Sequence, residues 1–278
     1  MRKLPRGLPW ISLTVLAGLL FAATFGGLIA PHDIYAQDLL NRLQPPSWLP
    51  GGSREHLLGT DALGRDILSR LIGGARTSLV VVIVGLLIGG GLGGIAGILG
   101  GYLGGRADAV IMRFADSTLA FPIILLAMLL SVSIGSGLLA VVFAISLVLW
   151  ARFARVVRSE VLIVKEMDYV KFAEIAGGSP LWILRRHILP NVMNTLAVLA
   201  GLQIGWVIIL EATLSFLGAG IAPPTPAWGS MTADGRDYLT TAWWVSFMPG
   251  ATIVLTVLTF FRLGDWLRDR LDPRLSDI

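Results

Sequence analysis

The sequence predicts an all-α membrane protein of six transmembrane helices with both termini cytoplasmic. Three observations carry that reading. The chain has 278 residues, 55% of them hydrophobic and 14% charged, where soluble domains average roughly 25% charged. So much apolar surface exceeds what one core of this size can hide. The apolar residues gather in six stretches near the ~20 residues needed to cross a ~30 Å hydrocarbon core. With the N-terminus inside, 16 of the 22 Lys and Arg fall on inside segments and 6 on outside ones, the bias that orients membrane proteins. The same composition excludes a disordered chain. There is no cysteine, hence no disulfide framework and no thiol chemistry.

The first stretch, residues 10–30, follows Arg2, Lys3 and Arg6. Its apolar run exceeds the roughly 7–15 residues of a signal-peptide core and lacks a small-residue cleavage site before Pro31, so a retained helix is expected. An outside segment, 31–78, comes next. Within it Leu63, Ile67, Leu68, Leu71, Ile72 and Ala75 share one helical face, and Arg65, Asp66, Ser69 and Arg70 point elsewhere. That pattern predicts an amphipathic helix lying on the outer membrane surface. It reads as a brace before the second stretch or as part of a docking surface.

The second stretch, 79–102, has Gly85, Gly89, Gly93, Gly97 and Gly101 at every fourth position. Small residues so spaced let another helix approach closely. Helix packing explains them; the lining of a pathway that opens and closes is the other reading. The third and fourth stretches, 114–134 and 138–153, are separated only by Gly135-Ser136-Gly137, which reads as a tight turn. Arg152, Arg155 and Arg158 read as anchors at the inner interface. The fifth stretch, 192–214, carries Glu211 near its outer end, where a carboxylate must be paired or wet. Pro223, Pro224 and Pro226 stiffen the outside loop that follows, and Trp228, Trp243 and Trp244 suit a membrane interface. The sixth stretch is 243–262.

The inside loop, 154–191, is the most informative segment. Residues 169–176 have helix-compatible composition, and Gly177 or Gly178 can end that helix in a left-handed conformation. Ser179 then suits an N-cap and Pro180 the first helical position. A second short helix follows over 181–188, ending before Pro190. A helix, a sharp glycine turn and a helix at the cytoplasmic face form a compact unit suited to docking a partner; the plainer reading is a surface loop.

This loop resembles the coupling, or EAA, loop of bacterial ATP-binding-cassette importer permeases: E-A-A, three residues, Gly, nine residues, then I-x-L-P. Ala173, Gly177, Leu189 and Pro190 match it. Lys171 and Phe172 stand where the pattern has Glu and Ala, His187 where it has Ile, and Glu174 is not the motif's glutamate. Residues 56–70, continuing to 74–79, closely resemble the segment before the second span in the "C"-type permeases for dipeptides, oligopeptides and nickel. Residues 211–220 with 223–229, and 263–275, resemble the same subfamily's fifth-span exit and C-terminus.

The resemblance implies a type I, MetI-like importer architecture in the bacterial inner membrane. An N-terminal part, 1–76, would hold the first helix and the interfacial helix, with a permease core over 77–265 and a cytoplasmic tail over 266–278. It implies a "B"-type permease partner, two cytoplasmic ATPases carrying ATP and Mg, and a periplasmic or lipid-anchored solute-binding protein. It makes Ala173, Gly177, Ser179, Pro180, His187, Leu189 and Pro190 the coupling residues. Glu211, Ser215, Pro224 and Trp228 are candidates for the pathway or its outer mouth, and Gly85, Gly89, Gly93 and Gly97 for helix packing.

No phosphate-binding G-x-x-x-x-G-K-[ST] loop occurs, so this chain is not expected to hydrolyse ATP. No catalytic residue, cofactor or nucleic-acid partner is expected. No metal site is expected either, since spacing cannot bring His32, His56 and His187 together. An ion-driven carrier acting alone is the alternative, although its usual mid-membrane ionisable groups are scarce. An intramembrane enzyme is disfavoured by the lack of a nucleophile–base constellation. Dipeptides, longer peptides, glutathione and metal chelates all remain candidate substrates.

Overall fold

The computed structural model describes residues 8–135 and 137–271. Arg2, Lys3, Arg6, Ser136 and the end of the C-terminal motif (Asp272, Pro273, Arg274 and Leu275) lie outside them. The described residues are overwhelmingly helical; their one β feature is an isolated bridge between Thr60 and Asp66.

Among the described residues, and setting aside two short 3-10 turns, nine helices follow in order: α1 (Trp10–Ile29), α2 (Ile67–Leu103), α3 (Gly105–Ala120), α4 (Ile123–Ile134), α5 (Leu138–Lys165), α6 (Asp168–Ile175), α7 (Pro180–Phe216), α8 (Trp228–Asp234) and α9 (Trp244–Leu271). Five are long and apolar enough to cross a membrane: α1, α2, α5, α7 and α9. The pair α3 and α4 passes the same test only when taken together and is bent by 90°, so it counts as a sixth span only if the bent pair is one span. The third expected stretch, 114–134, is therefore interrupted rather than one straight helix. Pro122 explains the break, since it disfavours helix at Phe121 and cannot donate the backbone bond that would continue α3.

The parallel pair α2 and α5 forms the centre. Gly85 faces Ile145, and Gly89 faces Leu149 and the Ser146 carbonyl. Gly93 faces Phe153 and the Trp150 carbonyl, Gly97 faces Val157 and the Ala154 carbonyl, and Gly101 faces Val161. The contact advances four residues on each helix per step, so the glycine run is one continuous seam. A Cβ at Gly97 would stand 2.6 Å from the Ala154 carbonyl oxygen, which only glycine avoids. A wide π turn at Leu86–Gly90 lies within this seam. The main core gathers around it from α2, α5, α7 and α9, and α1 lies outside against α2 and α9.

Two expectations change here. The interfacial helix over 61–76 is not a separate element. Residues 67–76 are the first turns of a continuous 37-residue helix, so the expected boundary at residue 76 falls inside it. Its polar residues Arg65, Asp66, Ser69 and Arg70 are buried because the fold supplies their counter-charges. The second short helix of the 154–191 loop also does not stop before Pro190. It runs on as α7, with a π turn over Leu184–Ile188 immediately before the proline. A widened turn accommodates a ring that lacks an N–H and crowds the preceding turn.

Candidate functional site

Each end of the bundle carries one cluster of motif residues. At the Gly177 end, α6 and the start of α7 form a short hairpin against α2 and α5. Val170, Ile183, Ile188 and Val192 pack on Val157, Val161 and Val164 in a cluster of their own. Gly177 has φ +83°, the left-handed conformation that admits glycine without penalty. The Gly178 N–H donates to the Ala173 carbonyl at 2.9 Å, closing the turn. Ser179 accepts from the Trp182 N–H at 3.4 Å, and Pro180 is the first helical residue.

Side chains fasten this hairpin to the spans. The Tyr102 hydroxyl donates to the Pro180 carbonyl at 3.1 Å, and Lys165 Nζ donates to the Tyr102 carbonyl at 3.0 Å. His187 lies between Tyr169 and Trp182, with ring centroids 5.7 and 5.0 Å away. Asn191 Nδ2 donates to the His187 carbonyl at 2.6 Å and to the Tyr169 hydroxyl at 3.1 Å. Lys171, where the coupling pattern has a carboxylate, pairs with Glu166 at 2.9 Å. Their hydrogen bond holds the Glu166 carboxyl below its ordinary range and the Lys171 ammonium above.

The hairpin's other side is apolar and bare. Phe172, Ile175, Leu181 and Trp182 are 68%, 82%, 64% and 49% exposed. Leu189 and Pro190 lie at the edge of this face, where α7 leaves the hairpin. Behind the face, Arg158 grips Asp108 through Nε and a terminal nitrogen, and Arg155 pairs with Asp116. Arg152 stacks on the Trp206 ring at 4.0 Å. The arginine triplet thus ties α5 to α3 and α7.

At the other end the pattern reverses. Arg65 Nε donates to Asp61 Oδ2 at 2.6 Å and a terminal nitrogen reaches Asp234 at 3.5 Å; Arg70 Nε lies 3.8 Å from Asp61. Burial raises the Asp234 carboxyl above its ordinary range, with Arg65 and Arg70 opposing. Asp66 caps α2 by accepting from the Ser69 N–H at 2.8 Å. Trp228 is buried and donates to the Leu71 carbonyl at 3.0 Å, its indole close against Gly74. Trp244 is buried too and donates to the Thr60 carbonyl at 3.3 Å. These two tryptophans are wedges inside the protein; only Trp243 keeps the exposure expected at an interface. The fold also places His32 beside His56, which spacing does not suggest.

Glu211 is buried, and its Oε1 accepts from the Ser215 hydroxyl at 2.8 Å; its Oε2 has no hydrogen-bond partner among the described residues. Ser215 Oγ in turn accepts from the Ile221 N–H at 3.3 Å. Both side chains therefore brace the turn that leaves α7. Pro224 is exposed in the loop beyond. That loop walls a cavity of about 760 Å³ between α1 and α2 with Ile221, Thr225 and Pro226, and neither Glu211 nor Ser215 lines it.

Comparison with known proteins places the chain. A family profile described as binding-protein-dependent transport system inner membrane component matches residues 89–277. A second, described as the N-terminal TM domain of oligopeptide transport permease C, matches residues 7–46. The di/tripeptide transport system permease protein DppC of Pseudomonas aeruginosa is 44% identical over 267 residues, covering 93% of this chain and 86% of that one. The dipeptide transport system permease protein DppC of Escherichia coli is 42% identical over 266 residues, 96% and 89% of the two chains. Among solved structures, a chain of the inward-facing MetNI methionine ABC transporter superposes with a TM-score of 0.60 at 19% identity, covering 73% of this chain and 96% of that chain. That likeness is one of fold.

Proposed function

The chain belongs to the family of binding-protein-dependent transport system inner membrane components, and from that premise we propose that it forms half of the pathway of an ATP-driven importer of di- and tripeptides. The observation that carries the coupling role is the bare apolar face of the hairpin, with Phe172, Ile175, Leu181 and Trp182 outward and the valine cluster inward. A capped two-helix unit rooted on α2 and α5 transmits a push to the spans as a rigid piece. Its outward face fits a cleft on a cytoplasmic ATPase.

The excess of Lys and Arg on the segments at this end supports placing it in the cytoplasm, with the buried charged end outside, facing a solute-binding protein. The transport cycle would be alternating access. ATP binding draws two ATPases together, the hairpin and its counterpart on a "B"-type permease follow, and the paired bundles open to the other side. The substrate class rests on the printed names of the relatives; specificity would reside largely in the binding protein. An ion-driven carrier is the weaker reading, since the carboxylates Asp108 and Asp116 are held by arginines.

The test is a gentle detergent pull-down of the tagged chain from its own host, with mass spectrometry and dipeptide uptake in vesicles. The expected result is a second permease and ATPases, with uptake that requires ATP. A chain that purifies alone and transports dipeptides without ATP would refute the coupling role.

A further inference from the structure

His32, His56 and Asp66 come from the loop after α1, the loop before α2 and the N-cap of α2, and they converge on one point. His56 Nδ1 lies 3.0 Å from Asp66 Oδ1 and His32 Nδ1 lies 3.8 Å from Asp66 Oδ2. The three candidate ligand atoms lie within 4.8 Å of one another. The two imidazoles face each other with centroids 4.6 Å apart. The Asp66 side chain is 1% exposed, that of His56 11% and that of His32 36%.

We propose that these three side chains bind a divalent transition-metal ion of the zinc class. The hydrogen bonds of the cluster leave one ring nitrogen without a partner beside a carboxylate. Asp66 Oδ2 is occupied by the Ser69 N–H at 2.8 Å and the Ser69 hydroxyl at 2.7 Å, and Asp66 Oδ1 by His56. The His32 Nδ1 atom is buried and has no hydrogen-bond partner among the described residues. Buried ring nitrogens are ordinarily satisfied. Here the neighbours are a carboxylate and a second imidazole, the donor set of a metal site.

The dimensions fit as well. Metal bonds of ~2.0–2.2 Å in a tetrahedron put ligand atoms roughly 3.3–3.6 Å apart; the histidine–carboxylate distances, 3.0 Å to Oδ1 and 3.8 Å to Oδ2, bracket that spacing, and side-chain rotation would draw the three ligand atoms, now within 4.8 Å, onto one ion. Two imidazoles with one carboxylate suit zinc-class ions rather than calcium or magnesium, which take oxygen ligands. Ser69 provides the outer shell: it fixes the carboxylate and accepts from the His32 N–H at 3.0 Å. Such partners orient first ligands. His32 also lines a cleft of about 350 Å³ with Pro31, Asp33 and Tyr35, so the cluster lies near the protein's surface. A bound ion would staple two loops to the first turn of α2.

The test uses the full-length, tag-free chain purified with its partners, stripped with a chelator and titrated with cobalt(II), then with zinc. The expected result is one equivalent bound per chain with the visible absorption of tetrahedral cobalt, displaced by zinc. His32→Asn, at a part-exposed position, is expected to weaken binding at least tenfold with circular dichroism unchanged. His187→Asn, at the opposite end, should leave binding intact. Absence of one-equivalent saturation in the natural chain overturns the site. Binding that survives both His32→Asn and His56→Asn marks an adventitious ion only and overturns it equally.

Discussion

At the end built around Asp61, Arg65, Arg70 and Asp234, three charged side chains (Asp61, Arg65 and Arg70) and two tryptophans are drawn inside against the chain's own groups, and the half-exposed Asp234 closes the charged cluster from its rim. At the Gly177 end, Phe172, Ile175, Leu181 and Trp182 stand largely exposed on the outer side of the hairpin. Both segments are amphipathic in sequence, yet they resolve the same problem oppositely. The first supplies counter-charges from within the chain, Asp61 nearby and Asp234 far along it. The second turns its charged and valine faces to the bundle and leaves apolar surface for another molecule. Exposed apolar area at a finished fold marks where a partner belongs; buried charge marks where the chain itself fixes its shape.

If that contrast is right, substitutions at the first end should act on folding and those at the second on transport alone. Arg65→Ala should have the largest effect. It leaves Asp61 buried without its closest partner, a loss of about 3–5 kcal/mol. The subunit should then disappear from the membrane fraction on an immunoblot; a normal level would mean the charged knot is not structural. Gly93→Ala should come next. Its methyl group would press on Phe153 and the Trp150 backbone, an overpacking cost of about 1–3 kcal/mol. A lower midpoint of thermal unfolding in detergent checks it, and an unchanged midpoint would mean that the α2–α5 seam is loose.

These two residues also show how far the sequence could be read. The glycine run announced a close helix contact, and the contact follows its spacing residue for residue. The polar face containing Arg65, Asp66, Ser69 and Arg70 was legible as a pattern but not in its meaning. Periodicity separates two faces of a helix without saying whether the polar one meets water or a buried counter-ion, and here part of that counter-charge is Asp234, far along the chain. Trp228 failed for the same reason, since its partner Gly74 is visible only in three dimensions. Asp66 carries a signal in the sequence: an aspartate immediately before the apolar run that opens at Ile67 is a helix-start pattern. The hairpin was the most legible part, because Gly177, Ser179 and Pro180 act through the backbone beside them.

Gly177→Asp is expected to cost about 1–2 kcal/mol locally, the penalty of a side chain at φ +83°. Nothing lies within 4 Å of the Cβ that the substitution adds, so the subunit should still insert and unfold near the natural temperature. Dipeptide uptake should nonetheless be abolished, because strain and a new charge fall on the turn beside the bare face. Wild-type uptake with this variant would remove the hairpin from the coupling path.

The smallest effect on the chain itself belongs to Phe172→Ser, and it is the sharpest probe of the contrast. The side chain is 68% exposed, so its removal should change stability by no more than about 0.5 kcal/mol. If the face is an ATPase dock, an aromatic at its centre is the kind of residue that dominates an interface, and its loss should weaken ATPase binding at least tenfold, about 1.4 kcal/mol. Co-purification of the ATPases at graded salt, beside a melting curve of the chain alone, separates the two quantities. Intact ATPase binding with an unchanged melting curve would show that the apolar face meets lipid rather than protein, and the difference between the two ends would then be one of solvent and not of partnership.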